Sequence, residues 1–184
     1  MKWLWISLLV VAGLVVLVVV VGALLPIKHQ AACRVLLRQP AAAVFAVISD
    51  PAGFPRWRPD LSAVEPLPDQ DGRRCWREVS RFGPMDLRLE ESVPDRRLVT
   101  RIVTKDSPFG GTWTFRLEPR GADTELTITE NGEVYNVVFR ALSRFVFGHT
   151  ATLETYLRAL GTRFGATATI EPGTPDPEPA TSAR

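Results

Sequence analysis

Six polar residues that could carry chemistry fall at positions where strand or helix periodicity points the side chain inward: Glu78, Ser80, Glu91, Thr100, Glu130 and His149. A carboxyl group in an apolar cavity has a raised pKa and can exchange protons with a ketone or enol near neutral pH, as a histidine can. The structural interpretation is simpler. A carboxylate near a strand end reaches solvent or pairs with an arginine, and a lone histidine on an apolar helix face usually packs there.

Other chemistries have no motif in this chain. It lacks a Gly-x-Ser-x-Gly nucleophile motif and a glycine-rich phosphate loop. Its cysteines, Cys33 and Cys75, and its histidines, His29 and His149, show no zinc-ligand spacing. We therefore predict no cofactor and no metal. The two cysteines are interpreted as small, half-buried side chains, with a disulfide as the alternative in an exported domain. A net charge of +2 gives no argument for nucleic acid.

The elements that must position these residues begin with a strand over residues 30–38. Pro40 then opens a helix that ends at Asp50-Pro51, because a residue before proline leaves the helical region. From Leu61 onward, apolar and polar residues alternate with period two between turn signals at 69–72, 83–85, 94–96 and 120–123. This pattern predicts an antiparallel meander with one face towards water. The inward positions also include Trp76, Phe82, Leu89, Trp113 and Phe115.

The period changes again in the last part of the domain. Between Val137 and Phe164, apolar residues recur at steps of three and four, with His149 among them. This spacing predicts one long amphipathic helix, which Gly148 could kink. A curved sheet wrapped around that helix buries both apolar surfaces and encloses a space between them.

The amino-terminal segment predicts a membrane anchor. Residues 3–25 contain no charge over 23 residues, about 34 Å of helix against a bilayer core of about 30 Å. Trp3 and Trp5, at one end of the segment, are typical of residues at a membrane–water interface. The alternatives are a cleaved signal peptide, for which the run is long and no site follows, and a lipoprotein signal ending at Cys33. The positive residues after the span favour a cytoplasmic domain of a single-pass cell-membrane protein. The side of the membrane on which the domain lies is left undecided, because the later arginines belong to a predicted strand.

Four stretches together resemble the helix-grip fold of the SRPBCC superfamily, which includes START-type lipid carriers and the polyketide cyclase/dehydrase and lipid transport group. They are "VFAVISDPAGFPRWRPDLSAVE", "CWREVSRFGPMDLRLEESVPDRRLVTRI", "GTWTFRLEPRGADTELTITENGEV" and "FRALSRFVFGHTATLETYLRALGTRF", covering most of residues 31–165. The resemblance implies an α+β domain with a deep apolar cavity. It does not fix an activity, since the superfamily contains carriers, sensors and enzymes.

The resemblance also bears on Trp57, which stands between Arg56 and Arg58. It implies that the segment after the first helix lies at one end of the grip. Trp57 is then expected to pack with Phe54 against the sheet or the end of the last helix. The alternative is a gate over a ligand, with the two arginines at its mouth.

The predicted fold is an α+β helix-grip: a curved antiparallel sheet around a long carboxy-terminal helix, preceded by one transmembrane helix. The predicted divisions are an anchor over residues 1–28, a START-like domain over 29–165 and a disordered proline-rich tail over 166–184. The predicted function is membrane-anchored binding or transport of a lipid or other hydrophobic small molecule, without catalysis. The alternatives are a cyclase or dehydratase using Glu78, Glu91 or His149, and a protein-interaction module with a filled cavity. The candidate cavity residues are Trp57, Trp76, Glu78, Ser80, Leu89, Glu91, Thr100, Trp113, Phe115, Glu130 and His149.

Overall fold

An eight-stranded antiparallel sheet and the helices that cover it form the domain behind an amino-terminal helix. The computed structural model describes residues 2–142, 144–145, 148 and 150–177. Its elements are α1 (Lys2–Leu24), β1 (Lys28–Leu37), α2 (Ala41–Ile48), a 3₁₀ helix (Pro51–Arg56), β2 (Leu61–Gln70), β3 (Arg73–Ser80), β4 (Gly83–Val93), β5 (Arg97–Ile102), β6 (Phe109–Arg120), β7 (Asp123–Val134), α3 (Val137–Leu142), α4 (Ala151–Arg163) and β8 (Ile170–Pro172).

The strands β2 to β7 form a meander in chain order, and β1 then pairs with β7, giving the order β2-β3-β4-β5-β6-β7-β1-β8. Tight turns join the strands where the sequence predicted them. Asp71 and Gly72, for example, take φ of 52° and 71° between β2 and β3. A left-handed pair of this kind matches the twist of the flanking strands. The predicted fold class, a curved antiparallel sheet with a carboxy-terminal helix, is confirmed.

The core lies on the concave face of the sheet, under α2 and α4. α4 buries the apolar face that its sequence period predicts, and α2 contributes Val44 and Ile48. The largest fully buried core side chains are Leu37, Ile48, Leu126, Ile128, Leu153, Leu157 and Leu160. One side chain of this size contributes about 1.5–3 kcal/mol when it leaves water, so this face stabilises the fold.

The prediction of one continuous carboxy-terminal helix from Val137 to Phe164 was wrong in its continuity. α3 and α4 are separate helices, and Gly148 between them has φ of 72°. A left-handed residue ends a helix rather than kinking it, and glycine takes this conformation without a steric penalty. His149, predicted to lie on the stripe of the helix, lies outside the described residues.

The tail prediction is also corrected for part of its length. Ile170–Pro172 form β8, which pairs with the free edge of β1 from Cys33 to Val35. The chain then crosses to the outer face of the sheet, where Asp176 is only 5% exposed. Asp176 accepts a hydrogen bond from Arg97 Nη1 at 2.8 Å, and its backbone N–H donates to Thr129 Oγ1 at 3.0 Å. Edge pairing and a buried acid hold a segment whose composition predicts disorder.

α1 is joined to the domain by direct contacts at its carboxy-terminal end. Gly22 lies so close to α3 that a Cβ there would collide with the Val137 carbonyl oxygen. The buried Arg140 donates from Nη1 to the carbonyl oxygens of Gly22 at 3.1 Å and Leu25 at 3.0 Å. These are carbonyls that a helix end leaves without intrahelical partners. α1 is long and apolar enough to cross a membrane, and almost all of its surface is exposed.

The two cysteines are free thiols. Cys33 on β1 and Cys75 on β3 are both buried, and four strands of the sheet separate them. They are packed more fully than the half-buried state that the sequence suggested. Burial, with the nearby charge of Glu154, raises the pKa of Cys33.

Candidate functional site

Trp57 packs at the centre of an aromatic cluster on the concave face. Its ring meets the ring of Phe54 edge-on at 5.6 Å and that of Tyr156, from α4, at 5.2 Å. Tyr156 in turn lies against Trp113 at 5.7 Å and Phe115 at 5.5 Å. The 3₁₀ helix, α4 and β6 therefore meet through these rings, and Trp57 packs against the core between sheet and helix.

The two arginines on either side of Trp57 differ in exposure and in their contacts. Arg56 is exposed. Arg58 is largely buried and donates from Nη1 to Glu78 Oε2 at 2.8 Å and from Nη2 to Asp60 Oδ2 at 2.7 Å. Its guanidinium carbon lies 5.2 Å from the Tyr156 ring centre, within the range of a cation–π contact. Burial alone lowers the pKa of Arg58, but the charges of Glu78 and Asp60 outweigh that effect and raise it overall.

Glu78 lies 4% exposed on the concave side of β3, at its predicted position. Besides the Arg58 contact, its Oε1 accepts a hydrogen bond from Trp76 Nε1 at 3.2 Å. Both oxygens are thus occupied by cationic or neutral donors. We name Phe54, Trp57, Arg58 and Glu78 the Arg58 cluster.

Three further predicted residues lie together in the middle of the sheet. Thr100 is buried on β5, with Leu89 as its register partner on β4 and Trp113 on β6. Leu89 and Trp113 are partly buried against the core. This row leads directly to Glu130, which pairs in register with Trp113 on one side and Ala31 on the other.

Glu91 was wrongly predicted to face the cavity. The register between β4 and β5 shifts between Leu89 and Glu91, so an extra residue enters β4. A bulge of this kind reverses the faces that follow it. Glu91 consequently lies opposite Val99 and accepts from Arg97 Nε at 3.1 Å on the outer face.

Two residues near the β3–β4 turn were also expected to face inward. The Ser80 hydroxyl donates to the Gly83 carbonyl oxygen at 3.2 Å and accepts from the Phe82 N–H at 3.1 Å. Both hydrogen bonds of the Ser80 hydroxyl therefore lie within the turn and stabilise it. Phe82 is in the turn itself and is 86% exposed.

Glu130 is the centre of a different arrangement, which sequence reasoning missed in part. Its Oε1 lies 3.4 Å from His29 Nε2, and the two side chains are 20% and 16% exposed. The His29 ring lies directly over Gly132, where a Cβ would collide with it. Gly132 pairs with Gly111, which has φ of 125°. Two opposed glycines leave the sheet without side chains beside the His29–Glu130 pair. We name His29, Gly111, Trp113, Glu130 and Gly132 the Glu130 niche.

In the described part of the chain, six buried side-chain atoms lack a hydrogen-bond partner: Thr112 Oγ1, Thr114 Oγ1, Arg116 Nε, Glu130 Oε2, Asn131 Nδ2 and the Tyr156 hydroxyl. Of these, Glu130 Oε2 and the Tyr156 hydroxyl belong to the two side chains that adjoin Trp113 on the concave face, Glu130 by strand register and Tyr156 by ring contact. Burial raises the pKa of Tyr156, so the hydroxyl remains a proton donor. Buried polar atoms without a protein partner usually meet water or a ligand, and here one is an acceptor and the other a donor. The arrangement can accept a polar group in otherwise apolar surroundings.

A surface depression of about 290 Å³ is lined by Lys28, His29, Gln30, Asn131, Gly132 and Glu133. His29 and Gly132 belong both to this depression and to the niche.

Residues 32–171 match the protein family described as polyketide cyclase/dehydrase and lipid transport. The match spans both the Arg58 cluster and most of the Glu130 niche. The chain belongs to this family. A search of curated proteins found no match.

Several solved structures share the fold. An aromatase/cyclase, Zhui from Streptomyces sp. R1128, has 16% identity and a TM-score of 0.64, covering 75% of this chain and 94% of that one. A START superfamily protein from Mycobacterium smegmatis has 20% identity and a TM-score of 0.61, covering 74% and 97%. A conserved protein from Geobacillus kaustophilus has 16% identity and a TM-score of 0.61, covering 78% and 99%. Likeness at this identity establishes the fold and leaves activity open.

The sequence analysis did not include His29 among the site residues, although His29 belongs to the Glu130 niche. The signal was present: His29 has the same strand parity as Ala31, Cys33 and Val35, which are buried on the concave face. The strand was predicted to begin at residue 30, which left His29 outside it.

Proposed function

We propose that the protein binds an amphipathic hydrophobic molecule on the concave face of the sheet, while α1 anchors it in a membrane. The observation that carries this proposal is the pair of buried, unpartnered polar atoms beside Trp113. An apolar wall with a few convergent polar groups is the usual composition of a small-molecule site. The family, named for cyclase, dehydrase and lipid transport members, supports a ligand of this class.

The polar group of the ligand is assigned to the Glu130 niche. A carboxylate oxygen accepts hydrogen bonds, so hydroxyl or ammonium heads suit it and a second carboxylate does not. The Tyr156 hydroxyl can donate to an oxygen of the same molecule. The apolar part of the ligand would lie against Trp113 and neighbouring core residues, contributing about 25 cal/mol for each Å² removed from water.

The junction between α1 and α3 supports an uncleaved anchor. Arg140 is 8% exposed, and two of its hydrogen bonds end on carbonyls of the α1 end. Removal of α1 would leave this buried cation without those acceptors, which is costly. A segment discarded after export has no need of such contacts.

The experiment is native mass spectrometry of the full chain, purified in a mild detergent, followed by organic extraction of bound molecules. We expect an added mass of one small amphipathic molecule. Glu130→Gln should weaken its retention about tenfold or more, as expected for losing a hydrogen bond to a charged group. Glu125→Gln is the matched control, because Glu125 lies on the same strand and pairs with Arg34 and Arg120 on the outer face. Equal retention by both variants, or no bound molecule in the unaltered protein, would refute the proposal.

One observation favours a second candidate, acid–base catalysis. His29 and Glu130 form a histidine–carboxylate pair at 3.4 Å on the face where the ligand would lie. Such a pair can move a proton at a ketone or enol. Once a ligand is identified, this candidate requires that Glu130→Gln loses turnover at saturating ligand. A ligand recovered chemically unchanged after long incubation would count against it.

A further inference from the structure

The contacts at the end of α1 fix the soluble domain to this helix. Gly22 permits the backbone of α3 to touch α1, and Arg140 binds the last α1 carbonyls from the α3 side. Arg140 also donates from Nε to the Val134 carbonyl oxygen at 2.9 Å, at the end of β7. Three elements therefore meet at one side chain, and the orientation of α1 sets the orientation of the domain.

The position of Gly22 along α1 sets the depth of α3. Gly22 lies two residues before Leu24, the last residue of the helix, which corresponds to about 3 Å along the axis. A helix of this length spans the hydrocarbon core and little more. If α1 crosses the bilayer, the start of α3 lies at the boundary between the hydrocarbon and the headgroups.

The surface of α3 and the two described residues beyond it is unusually apolar for an exposed segment. Val138, Phe139, Leu142 and Phe145 are 40%, 40%, 37% and 69% exposed. Arg144, between the last two, is exposed as well. We name Val138, Phe139, Leu142 and Phe145 the α3 patch. Exposed apolar side chains with an adjacent cation are typical of segments that lie in a membrane interface.

We propose that the α3 patch is a second membrane contact, which dips into the same bilayer that α1 crosses. α1 continues directly into this surface, because Leu24 and Ile27 are also exposed apolar residues at the junction. The partner is therefore a lipid surface, which the fixed α1–α3 geometry brings to the patch.

This docking deepens the proposed function and rests on its membrane anchor. The Phe139 ring stacks on Phe109 at 6.2 Å, and Phe109 begins β6 two residues before Gly111 of the Glu130 niche. The patch and the niche thus lie at the same end of the sheet. A lipid-like ligand could pass between bilayer and niche along α3 with little exposure to water.

The test places an environment-sensitive NBD fluorophore on the full chain through Phe145→Cys and reconstitutes it in phosphatidylcholine vesicles. The matched control is Ala122→Cys, in the β6–β7 turn at the opposite end of β7. The unaltered chain measures background labelling of Cys33 and Cys75, which are buried. We expect a blue-shifted emission at position 145, quenched several-fold more by lipids with a shallow nitroxide than emission at position 122.

Equal quenching at the two positions, with emission typical of water, would overturn the proposal. Alkaline carbonate extraction of the same vesicles separates the causes. A chain that stays in the membrane with position 145 in water refutes only the second contact. A chain released by carbonate refutes the anchor as well. Neither result depends on ligand, so a failure of ligand binding is distinguished from a failure of docking.

Discussion

Glu78 and Glu130 are carboxylates on the same face of one sheet, and their surroundings differ sharply. Glu78 is held by Arg58 at 2.8 Å and by Trp76 at 3.2 Å, so each of its oxygens has a donor. Glu130 has His29 at 3.4 Å on one oxygen and no hydrogen-bond partner in the described chain on the other. Tyr156 lies between the two regions, with its ring against Trp57 of the Arg58 cluster and Trp113 of the Glu130 niche.

The contrast separates a structural acid from an acid available to a ligand. A fully paired buried charge holds elements together, and removing its partner is costly. A buried charge with an open acceptor costs stability in the empty protein and is useful only when something binds it. The Arg58 cluster is accordingly assigned to architecture and the Glu130 niche to recognition.

The largest effect should come from breaking the Arg58 cluster. Arg58→Ala would leave Glu78 buried without its cation, and we expect the free energy of unfolding to fall by about 3–5 kcal/mol. Chemical denaturation of the full chain in detergent measures this. Arg56→Ala is the control, since Arg56 is exposed two residues away and should change stability by about 0.5 kcal/mol or less. Equal effects at the two positions would remove the structural role assigned to Arg58.

A third buried acid, Asp176, extends the comparison to the outer face. Asp176→Ala removes contacts to Arg97 at 2.8 Å and Arg116 at 3.4 Å, but both arginines retain access to water. We therefore expect a smaller loss than for Arg58→Ala, about 1.5–3 kcal/mol. Thermal unfolding compared with Glu171→Ala, an exposed pair with Arg34, measures it. A loss no larger than for Glu171→Ala would mean that the tail contact contributes little.

The sequence predicted the fold well because its signals were local. Alternation marked each strand, Pro40 and Asp50-Pro51 bounded α2, and Asp71-Gly72 formed the turn that their types favour. The parity of β3 also placed Glu78 on the concave face. These features need only the residue types within a short stretch.

The parts that could not be predicted depend on partners distant in the chain. The β4 bulge that turns Glu91 outward has no local signature in "LEESV". β8 forms because the edge of β1 is free, although its own composition resembles a disordered tail. The His29–Glu130 pair depends on the β1–β7 register across about a hundred residues of sequence, a length that only long-range pairing brings together.

The opposite behaviour is expected at Glu130. Glu130→Gln removes a charge that has an unpartnered oxygen, so the ligand-free protein should keep its unfolding free energy within about 1 kcal/mol. Differential scanning calorimetry before and after organic stripping of the protein reports the ligand contribution. The unaltered protein should lose stability on stripping, because ligand binding stabilises the folded state. Glu130→Gln should lose less. A large destabilisation of the stripped variant would instead make Glu130 a structural acid like Glu78.

Tyr156→Phe should give the smallest effect, because the hydroxyl has no partner in the described chain. Removing it should leave stability unchanged or raise it by up to about 1 kcal/mol at neutral pH.

In alkali, the stability of Tyr156→Phe should differ more from that of the unaltered protein. Burial raises the pKa of Tyr156 above its ordinary value of 10.0. The stability linked to the protonated hydroxyl is therefore fully present below pH 10 and is lost as the pH rises beyond it, when the unfolded chain ionises. The melting temperature of Tyr156→Phe should fall less steeply above pH 10 than that of the unaltered protein.

Tyr135→Phe is the control for the other tyrosine, whose pKa is raised by its hydrogen bond to Glu133 and by burial. If Tyr156→Phe lowers stability at neutral pH as strongly as a lost hydrogen bond does, the hydroxyl has a structural partner. The contrast between the two regions then rests on Glu130 alone.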